Sequence, residues 1–313
     1  MGINLPATYR VTGERARQMR VLSSDTLRAL YQRSDVAGLS RLAIHVTLLA
    51  AGGAACYLAA GTWWLAPAWL VQGVFVMALF APMHECVHYT PFRTRWLNDV
   101  VGFLAAAAIG FNATFYRHFH LAHHRYTQDP ARDPELLAQP EPTTRAQYWA
   151  RLSAGPYWLA RIGQLVDLPL GRTAGRDYIH PGTWPEIVRA ARWQILFYAI
   201  IAAGSVALGT WAALTCWLVP AFLGSPLLRA YLVVEHNGCS HDDDGFGNTR
   251  TTLTNPFVRL IMWNMPYHAE HHLLPNVSFH KLPAAHAALR GHMKMVTPGY
   301  VRAHRDIREG LAG

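Results

Sequence analysis

Charged side chains are scarce in this sequence of 313 residues. They make up 15% of it, whereas about a quarter is usual for soluble domains. Hydrophobic residues reach 51%, with 11 Trp and 13 Tyr among them. This balance argues against an ordinary soluble domain and indicates a chain embedded in a lipid bilayer.

The few charges that are present are unbalanced toward arginine. The net charge is +9 at pH 7, but no DNA- or RNA-binding motif accompanies it. A basic excess beside apolar runs is typical of segments at a membrane surface. We therefore expect the lipid bilayer as a partner, and no nucleic acid.

Cysteine is also rare, with Cys56, Cys86, Cys216 and Cys239 scattered along the chain. None forms a C-x-x-C pair, so the sequence indicates neither a disulfide framework nor a cysteine zinc site. The N-terminal stretch MGINLPATYRVTGERARQMR lacks the apolar core of a signal peptide. Without internal repeats or low-complexity tracts, residues 1–313 are interpreted as a single domain.

Long apolar runs are what the sequence does contain. Four of them are long enough for membrane-spanning helices, which need about 20 apolar residues. Their approximate bounds are Leu42 to Gly61, Trp63 to Pro82, Trp193 to Gly209 and Thr210 to Val234. The sequence thus predicts an all-α integral membrane protein with two transmembrane helical hairpins, at residues 41–82 and 193–235.

The distribution of arginine predicts the orientation. The two short hairpin turns contain no Lys or Arg, whereas the first forty residues contain Arg10, Arg15, Arg17, Arg20, Arg28 and Arg33. Positive loops stay on the cytosolic side. We therefore expect three cytosolic parts: an N-terminal segment (residues 1–40), a helical cap (residues 83–192) and a C-terminal part (residues 236–313).

Histidine is the residue that carries chemistry here. Eight of the 17 histidines form three clusters with separations of one, three or four residues: His84 and His88; His120, His123 and His124; and His268, His271 and His272. Separations of three and four place side chains on one face of a helix. Neutral imidazole is the commonest protein metal ligand, so the pattern indicates a polynuclear metal site.

A short apolar segment, Val100 to Phe111, lies between the first two clusters. A crossing there would separate His88 from His120 by the whole bilayer, and the two could not share a metal. We interpret the segment as a re-entrant helix covered by protein.

A ninth histidine, His236, stands at the cytosolic end of the fourth predicted span, next to Glu235. An ionisable group near membrane depth needs a partner and is usually functional. A histidine satisfied by lipid headgroups or by backbone is the alternative interpretation.

These motifs resemble the membrane-bound fatty acid desaturase and hydroxylase superfamily. The resemblance covers about residues 41–286 and includes H-x3-H at His84, the two H-x2-H-H motifs and the Glu235-His236 pair. The tail of the second motif, which contains Asp129 and Asp133, and the run from Asn264 to His268 are also similar.

The resemblance implies two non-haem Fe2+ ions held by nine histidines: His84, His88, His120, His123, His124, His236, His268, His271 and His272. It also implies O2 as co-substrate and electrons from a separate donor such as ferredoxin. The activity it favours is desaturation of a fatty acid or another lipid. Hydroxylation or ketolation of a fatty acid, terpenoid or carotenoid, and desaturation of an amino-acid-derived metabolite, remain alternatives.

An all-imidazole ligand set leaves bound iron positively charged, with open positions for O2. Carboxylates normally fix the ring nitrogens of ligating histidines. The candidates for this role are Glu85, Asp129, Asp133, Glu235 and Glu270. Any one of them could instead be a solvated surface group.

Two other classes of protein compete with this interpretation. The sequence HECVH, from His84 to His88, also fits the H-E-x-x-H zinc metalloprotease helix with Glu85 as general base. That reading leaves most histidines unexplained. A metal transporter would place ligands inside the spans, where only His45 lies, and a lone His45 is better explained as a polar contact between helices.

The remaining histidines lack clustered partners. His180-Pro181-Gly182 departs from the cytochrome b5 haem motif at Thr183, and there is no room for such a domain. His241, beside three aspartates, is a candidate to support a ligand or to dock the electron donor. The others without clustered partners are His118, His280, His286, His292 and His304.

Overall fold

The computed structural model describes residues 18–312, and helices predominate in this part of the chain. In chain order the helices are α1 (Ser24–Leu30), α2 (Asp35–Leu58), α3 (Leu65–Met77), α4 (Phe80–Val87), α5 (Arg95–Ala108), α6 (Ala113–Tyr126), α7 (Pro134–Ala138), α8 (Arg145–Leu152), α9 (Gly155–Asp167), α10 (Trp184–Ala207), α11 (Val219–His236), α12 (Pro256–Ile261), α13 (His268–Leu273), α14 (Leu282–Leu289) and α15 (Tyr300–Glu309). Three of the predicted cytosolic arginines, Arg10, Arg15 and Arg17, lie outside the described residues.

Four helical segments of the described chain are long and apolar enough to cross a membrane. They are Asp35–Leu58, Leu65–Val87, Pro181–Ala207 and Leu214–His236. Each overlaps one predicted span, so the number and order of apolar helices agree with the sequence prediction.

The helix ends differ from the predicted ends because hydropathy does not detect capping residues. Helix α2 begins at Asp35, seven residues before the apolar run, where the Ser34 side chain accepts a hydrogen bond from Ala37 N. Helix α10 begins at Trp184, with a proline in its first turn. Helix α4 continues past Pro82 to Val87 and carries His84 inside the second apolar segment.

The turns between paired helices fall where the sequence predicts them. Gly61 and Gly209 have φ values of +78° and +59°. This left-handed conformation is open to glycine without steric cost and reverses the chain tightly.

Helix α3 packs along both α2 and α11. Gly73 and Gly224 meet at the α3–α11 contact, and a Cβ atom on either would overlap the backbone of the other helix. Small residues allow such close approach of apolar helices, where van der Waals packing is the main attraction.

Hydrogen bonds from polar side chains fix the positions of these helices along their axes relative to one another. The π-helical turn Leu214–Leu218, just before α11, faces donors on α3. Its carbonyl oxygens at Thr215 and Cys216 accept hydrogen bonds from Trp69 Nε1 at 2.8 Å and Gln72 Nε2 at 3.1 Å. A π turn takes backbone carbonyl oxygens out of the regular α-helical hydrogen-bond pattern, and the side chains of Trp69 and Gln72 donate to these oxygens.

His45 lies buried between helices, as the sequence predicts, and has two partners. Its Nε2 atom is 3.0 Å from the carbonyl oxygen of Phe75, and Trp263 Nε1 donates to its Nδ1 atom at 3.3 Å. Both bonds are made by a neutral ring protonated on Nε2. His45 is therefore a structural contact between α2, α3 and the C-terminal region.

Helices α5 and α6 contain the predicted re-entrant segment and meet at an angle of 97°. Gly110 at the bend has a φ of +80°, and the Asn112 side chain caps α6 through Phe115 N. His88 precedes the segment from Val100 to Phe111 and His120 follows it, and the centroids of their rings are 5.0 Å apart. Such closeness favours a re-entrant segment over a single bent crossing.

The all-α prediction needs one correction. Strands β1 (Thr251–Leu253) and β2 (Val296–Pro298) form a parallel pair with Thr251 opposite Val296. β-branched residues fit a pleated strand. The pair ties the chain after α11 to the start of α15.

The glycine contact leads to a stability prediction. Gly224→Ala should destabilise the protein by about 1–3 kcal/mol, because the added methyl group overpacks the α3–α11 contact. Gly204→Ala is the matched control, since no atom lies within 4 Å of a Cβ at that position of α10. The apparent Tm in detergent should fall for the first variant and hold or rise for the second. Equal values would contradict the tight contact.

Candidate metal centre

Nine histidines from four parts of the chain meet in one buried volume. Helix α4 and its C-cap supply His84 and His88, and α6 supplies three more. Helix α11 ends on His236, and α13 supplies the remaining three. These are the nine positions that the sequence singles out: His84, His88, His120, His123, His124, His236, His268, His271 and His272, and all nine are buried.

Five of these rings form a first group. The facing nitrogens of His84, His88, His120, His124 and His271 lie within 4.8 Å of one another. The Nε2 atom of His124 is 2.9 Å from Nε2 of His120 and 3.1 Å from Nε2 of His271. The two H-x2-H-H motifs therefore meet directly at this group.

The other four rings form a second group. His123, His236 and His272 have facing nitrogens within 4.8 Å. The Nε2 atom of His236 lies 3.2 Å from Nε2 of both His123 and His268. The groups are adjacent, because the rings of His124 and His272 stack with centroids 4.1 Å apart.

The spacing of these nitrogens fits metal ligation. Two nitrogens about 2.1 Å from one ion are about 3.0–3.4 Å apart at octahedral or tetrahedral angles, close to the separations observed here. Nε2 of His84 and Nε2 of His272 are buried without a hydrogen-bond partner among the described residues. A shared metal would use such lone pairs, and a set of imidazole nitrogens suits iron.

Burial also sets the protonation state of the rings. Burial, with neighbouring imidazoles adding to it, lowers the pKa of His268 and His272 well below the usual value. Burial and the nearby His123 lower the pKa of His271 to about 3. These rings are neutral at physiological pH, which is the state that binds a metal.

Two of the five candidate carboxylates contact the outer nitrogen of a ring in the second group. Asp133 lies 2.9 Å from His123 Nδ1 and also caps α7. Glu235 lies 3.5 Å from His268 Nδ1. The hydrogen bond to Asp133 holds the His123 ring with Nε2 pointing inward, whereas Glu235 approaches His268 without forming a hydrogen bond.

The other three carboxylates form their hydrogen bonds elsewhere, and Glu85 Oε1 also lies 4.0 Å from His84 Nδ1. Glu85 accepts hydrogen bonds from Thr90 Oγ1 at 2.9 Å and from Phe279 N at 3.0 Å, which joins α4 to the chain after α13. Glu270 contacts His286 Nδ1 at 2.6 Å. Asp129 pairs with Arg132 near the surface, so the role proposed for Asp129 is not supported.

Sequence reasoning missed Glu135. Its carboxylate oxygens lie 4.0 Å from His120 Nδ1 and 3.9 Å from His123 Nε2. Together the three side chains form a further possible metal-binding group. The signal was the position of Glu135 two residues after Asp133, in the first turn of α7.

The remaining histidines stay outside the cluster. His241 is 47% exposed and faces Glu141 at 3.7 Å, so it supports no ring directly. His286 was expected to stay outside the clusters, and it contacts Glu270 at 2.6 Å. Other contacts tie His118 to Glu186, His280 to Ser278, His304 to Tyr148 and His292 to Phe246.

A cavity of about 560 Å³ opens beside the cluster. Its wall includes His84, His120, His123, His236 and His268. The remaining wall includes aromatic residues of α4 and α6 and a mixture of polar and apolar residues from α7, α9, α11 and the chain after α9. A substrate in this cavity would lie against the imidazole groups.

The fold and the cluster define a class: a helical protein suited to a membrane, with a buried polyhistidine site able to bind metal. The fatty acid desaturase family model matches residues 61–303. The chain belongs to the fatty acid desaturase family and is a desaturase-type oxidoreductase.

Curated relatives are desaturases with different substrates in their names. An sn-1 oleoyl-lipid 12-desaturase of Picosynechococcus sp. is 25% identical over 85% of this chain and 80% of the relative. The dihydrorhizobitoxine desaturase of Bradyrhizobium elkanii is 30% identical over 80% of this chain and 74% of the relative. An sn-1 acyl-lipid omega-3 desaturase (ferredoxin) of Nostoc sp. is 29% identical over 37% of this chain and 27% of the relative.

The contact between Asp133 and His123 leads to a prediction about metal affinity. Asp133→Asn should weaken metal binding about 10–100-fold, because the amide no longer holds the ring with a charge. Asp129→Asn is the control, since Asp129 contacts Arg132 and not a ring of the cluster. Metal retention during titration with a chelator measures both. Equal retention would show that Asp133 does not support the site.

Proposed function

We propose that this enzyme is an O2-dependent di-iron desaturase whose iron ligands are the nine clustered histidines. The carrying observation is that nine buried imidazoles fall into two adjacent groups of five and four. When bound, the iron pair supplies O2 activation and hydrogen abstraction from an unactivated C–H bond. Overall, a CH2–CH2 unit, O2, two electrons and two protons give a C=C bond and two waters.

The protein's own part is to hold the rings and exclude water. Asp133 fixes the ring of His123 by a hydrogen bond, Glu235 lies 3.5 Å from His268 Nδ1, and Thr127 Oγ1 contacts His272 Nδ1 at 3.2 Å. The aromatic side chains of Phe80 and Tyr116 line the cavity beside the cluster. An apolar wall of this kind shields a strong oxidant from bulk water.

The expected substrate is an acyl chain of a fatty acid or another lipid. Support comes from the apolar helices and from lipid desaturases among the relatives. An amino-acid-derived substrate is the second candidate. It is favoured by the polar wall of the cavity near Arg161 and by the likeness to the dihydrorhizobitoxine enzyme. Hydroxylation begins with the same hydrogen abstraction as desaturation, and the two reactions are distinguished by their products.

Electrons are expected from a separate small redox protein such as ferredoxin. The name of the Nostoc relative includes ferredoxin. We further propose that the enzyme is a multi-pass membrane protein with its active site on the cytosolic face, as the arginine distribution indicates.

The zinc protease alternative finds little support in the geometry. Glu85 would have to activate a water molecule as general base. Its carboxylate is buried, and Oε2 accepts hydrogen bonds from Thr90 and Phe279. His84 and His88 lie in a group with three further imidazoles, more than a tetrahedral zinc with a bound water requires.

Iron content and products together test the proposal. Purified protein should contain close to two irons per chain, and expressing cells should contain products lighter by two hydrogens in mass spectra. A single zinc that restores activity would contradict the proposal. A gain of one oxygen would make the enzyme a hydroxylase.

His236→Ala should lower iron toward one per chain and abolish turnover, because the second group keeps three imidazoles. His180→Ala is the control, since His180 caps an exposed turn through Gly182 N. Elemental analysis and product formation are measured on both. If His236→Ala kept its full iron content and His241→Ala lost iron, the assignment of His236 as the ninth ligand would be wrong.

The topology is tested by labelling cysteines introduced at exposed positions. Arg145→Cys in the cap should react with an impermeant maleimide only from the cytosolic side, and Thr62→Cys in the first hairpin turn only from the other side. Reaction of residue 145 from outside would overturn the orientation and the re-entrant assignment.

A further inference from the structure

Four arginines line the cavity beside the histidine cluster: Arg151, Arg161, Arg176 and Arg229. Guanidinium groups are unusual on the wall of a pocket meant for an acyl chain alone, because they lose hydration there. Whether the cavity contains a positive charge without a counter-ion therefore depends on the partners of these four arginines within the protein.

Three of the four arginines donate to acceptors within the protein. Arg151 Nη2 donates to the Gln139 carbonyl oxygen at 2.9 Å, and Arg229 Nη2 donates to Gln139 Oε1 at 2.7 Å. Arg176 forms an ion pair with Asp167 at 3.2 Å.

Arg161 is different. It donates no hydrogen bond and forms no ion pair within residues 18–312, and its Nε atom is buried. Its guanidinium carbon lies 4.0 Å from the ring centroid of Phe111 and 5.6 Å from that of Tyr157. These cation–π contacts offset part of the lost hydration but supply no acceptor.

The backbone is shaped to hold Arg161 in this position. A Cβ atom on Gly110 would lie 3.5 Å from Arg161 Cγ, so the bend between α5 and α6 contacts the stem of the side chain. Trp158 on the same helix donates to Ser225 Oγ at 2.9 Å, which fixes α9 against α11.

The charge on Arg161 is retained at physiological pH. Burial lowers the pKa of Arg161 to about 10, so the group is still protonated near neutrality. Arg161 is half-buried, and a partly desolvated cation without a counter-ion is stabilised by an anion that joins it.

The position of Arg161 connects that charge to the metal centre. The Phe111 ring, on which the guanidinium lies, is 5.1 Å from the Tyr116 ring, and Tyr116 stacks on His120 at 5.1 Å. Two aromatic rings thus separate the guanidinium from a ring of the first group. If the anionic group of a substrate bound at Arg161, the remainder of that substrate would lie beside the histidines.

We propose that Arg161 binds the free carboxylate of the substrate, so that the enzyme acts on a carboxylic acid or amino acid and not on an acyl ester. Guanidinium and carboxylate match in bidentate geometry. The proposal rests on the proposed function for the identity of the reaction.

Binding of small probes to the iron-loaded full chain in nanodiscs tests the proposal. Hexanoate and norleucine should bind at least tenfold more tightly than hexanamide, which has the same shape without the charge. Arg161→Gln should lower the affinity for both carboxylates at least tenfold and leave hexanamide unchanged. Arg161→Lys should recover part of the loss, since it restores the charge without the planar fork.

Arg176→Gln is the matched control, because Arg176 lines the same cavity but is paired with Asp167. It should leave all affinities unchanged. Tighter binding of norleucine than of hexanoate would identify an amino acid as the source of the carboxylate. Tighter binding of hexanoate would identify a fatty acid.

Unchanged carboxylate affinity in Arg161→Gln would overturn the proposal, as would tighter binding of ethyl phosphate than of hexanoate. Iron content and product formation are measured on the same samples. If carboxylate binding depended on Arg161 but no desaturation occurred, the proposed function alone would be refuted. If desaturation occurred but carboxylate binding did not depend on Arg161, this inference alone would be refuted.

Discussion

Nine imidazoles share one buried volume, and the rest of the structure depends on keeping them there neutral and close together. Facing nitrogens 2.9–3.2 Å apart repel each other if both present lone pairs, so each pair needs either one proton between the two nitrogens or a metal that both lone pairs bind. Burial keeps the rings neutral, so that each has a lone pair to offer, and the Asp133 carboxylate behind His123 orients the lone pair of that ring inward. The metal centre is therefore a property of the packed interior as much as of the histidines.

The helices are arranged so that four distant segments reach this volume. The Gly73–Gly224 contact sets α3 against α11, which continue toward His84 and His236 respectively. The bend at Gly110 returns α6 to the same place with its three histidines. The β1–β2 pair and the Glu85–Phe279 hydrogen bond hold the segments around α13. The same bend leaves space for Arg161, so one turn serves both the cluster and the cavity wall.

Much of this architecture was predictable, because apolar length and histidine spacing are local properties of a sequence. The eight clustered histidines come together as their spacing indicates, His236 joins them as the family resemblance implies, and the turns at Gly61 and Gly209 fall between the apolar runs. Contacts between distant residues were not predictable. Glu135 reaches the cluster only through the fold of the loop after α6, and Trp263 meets His45 from 218 residues away. The cation at Arg161 was missed for the same reason, since no local pattern shows that a buried charge lacks a partner.

The central claim is that the nine histidines hold two iron ions in adjacent sites. Anomalous diffraction from crystals of the iron-loaded protein, measured at both the iron and the zinc absorption edges, tests it most directly. The account predicts two iron peaks, one among His84, His88, His120, His124 and His271 and the other among His123, His236, His268 and His272. A single peak, a zinc signal in place of iron, or a peak outside these rings would contradict it.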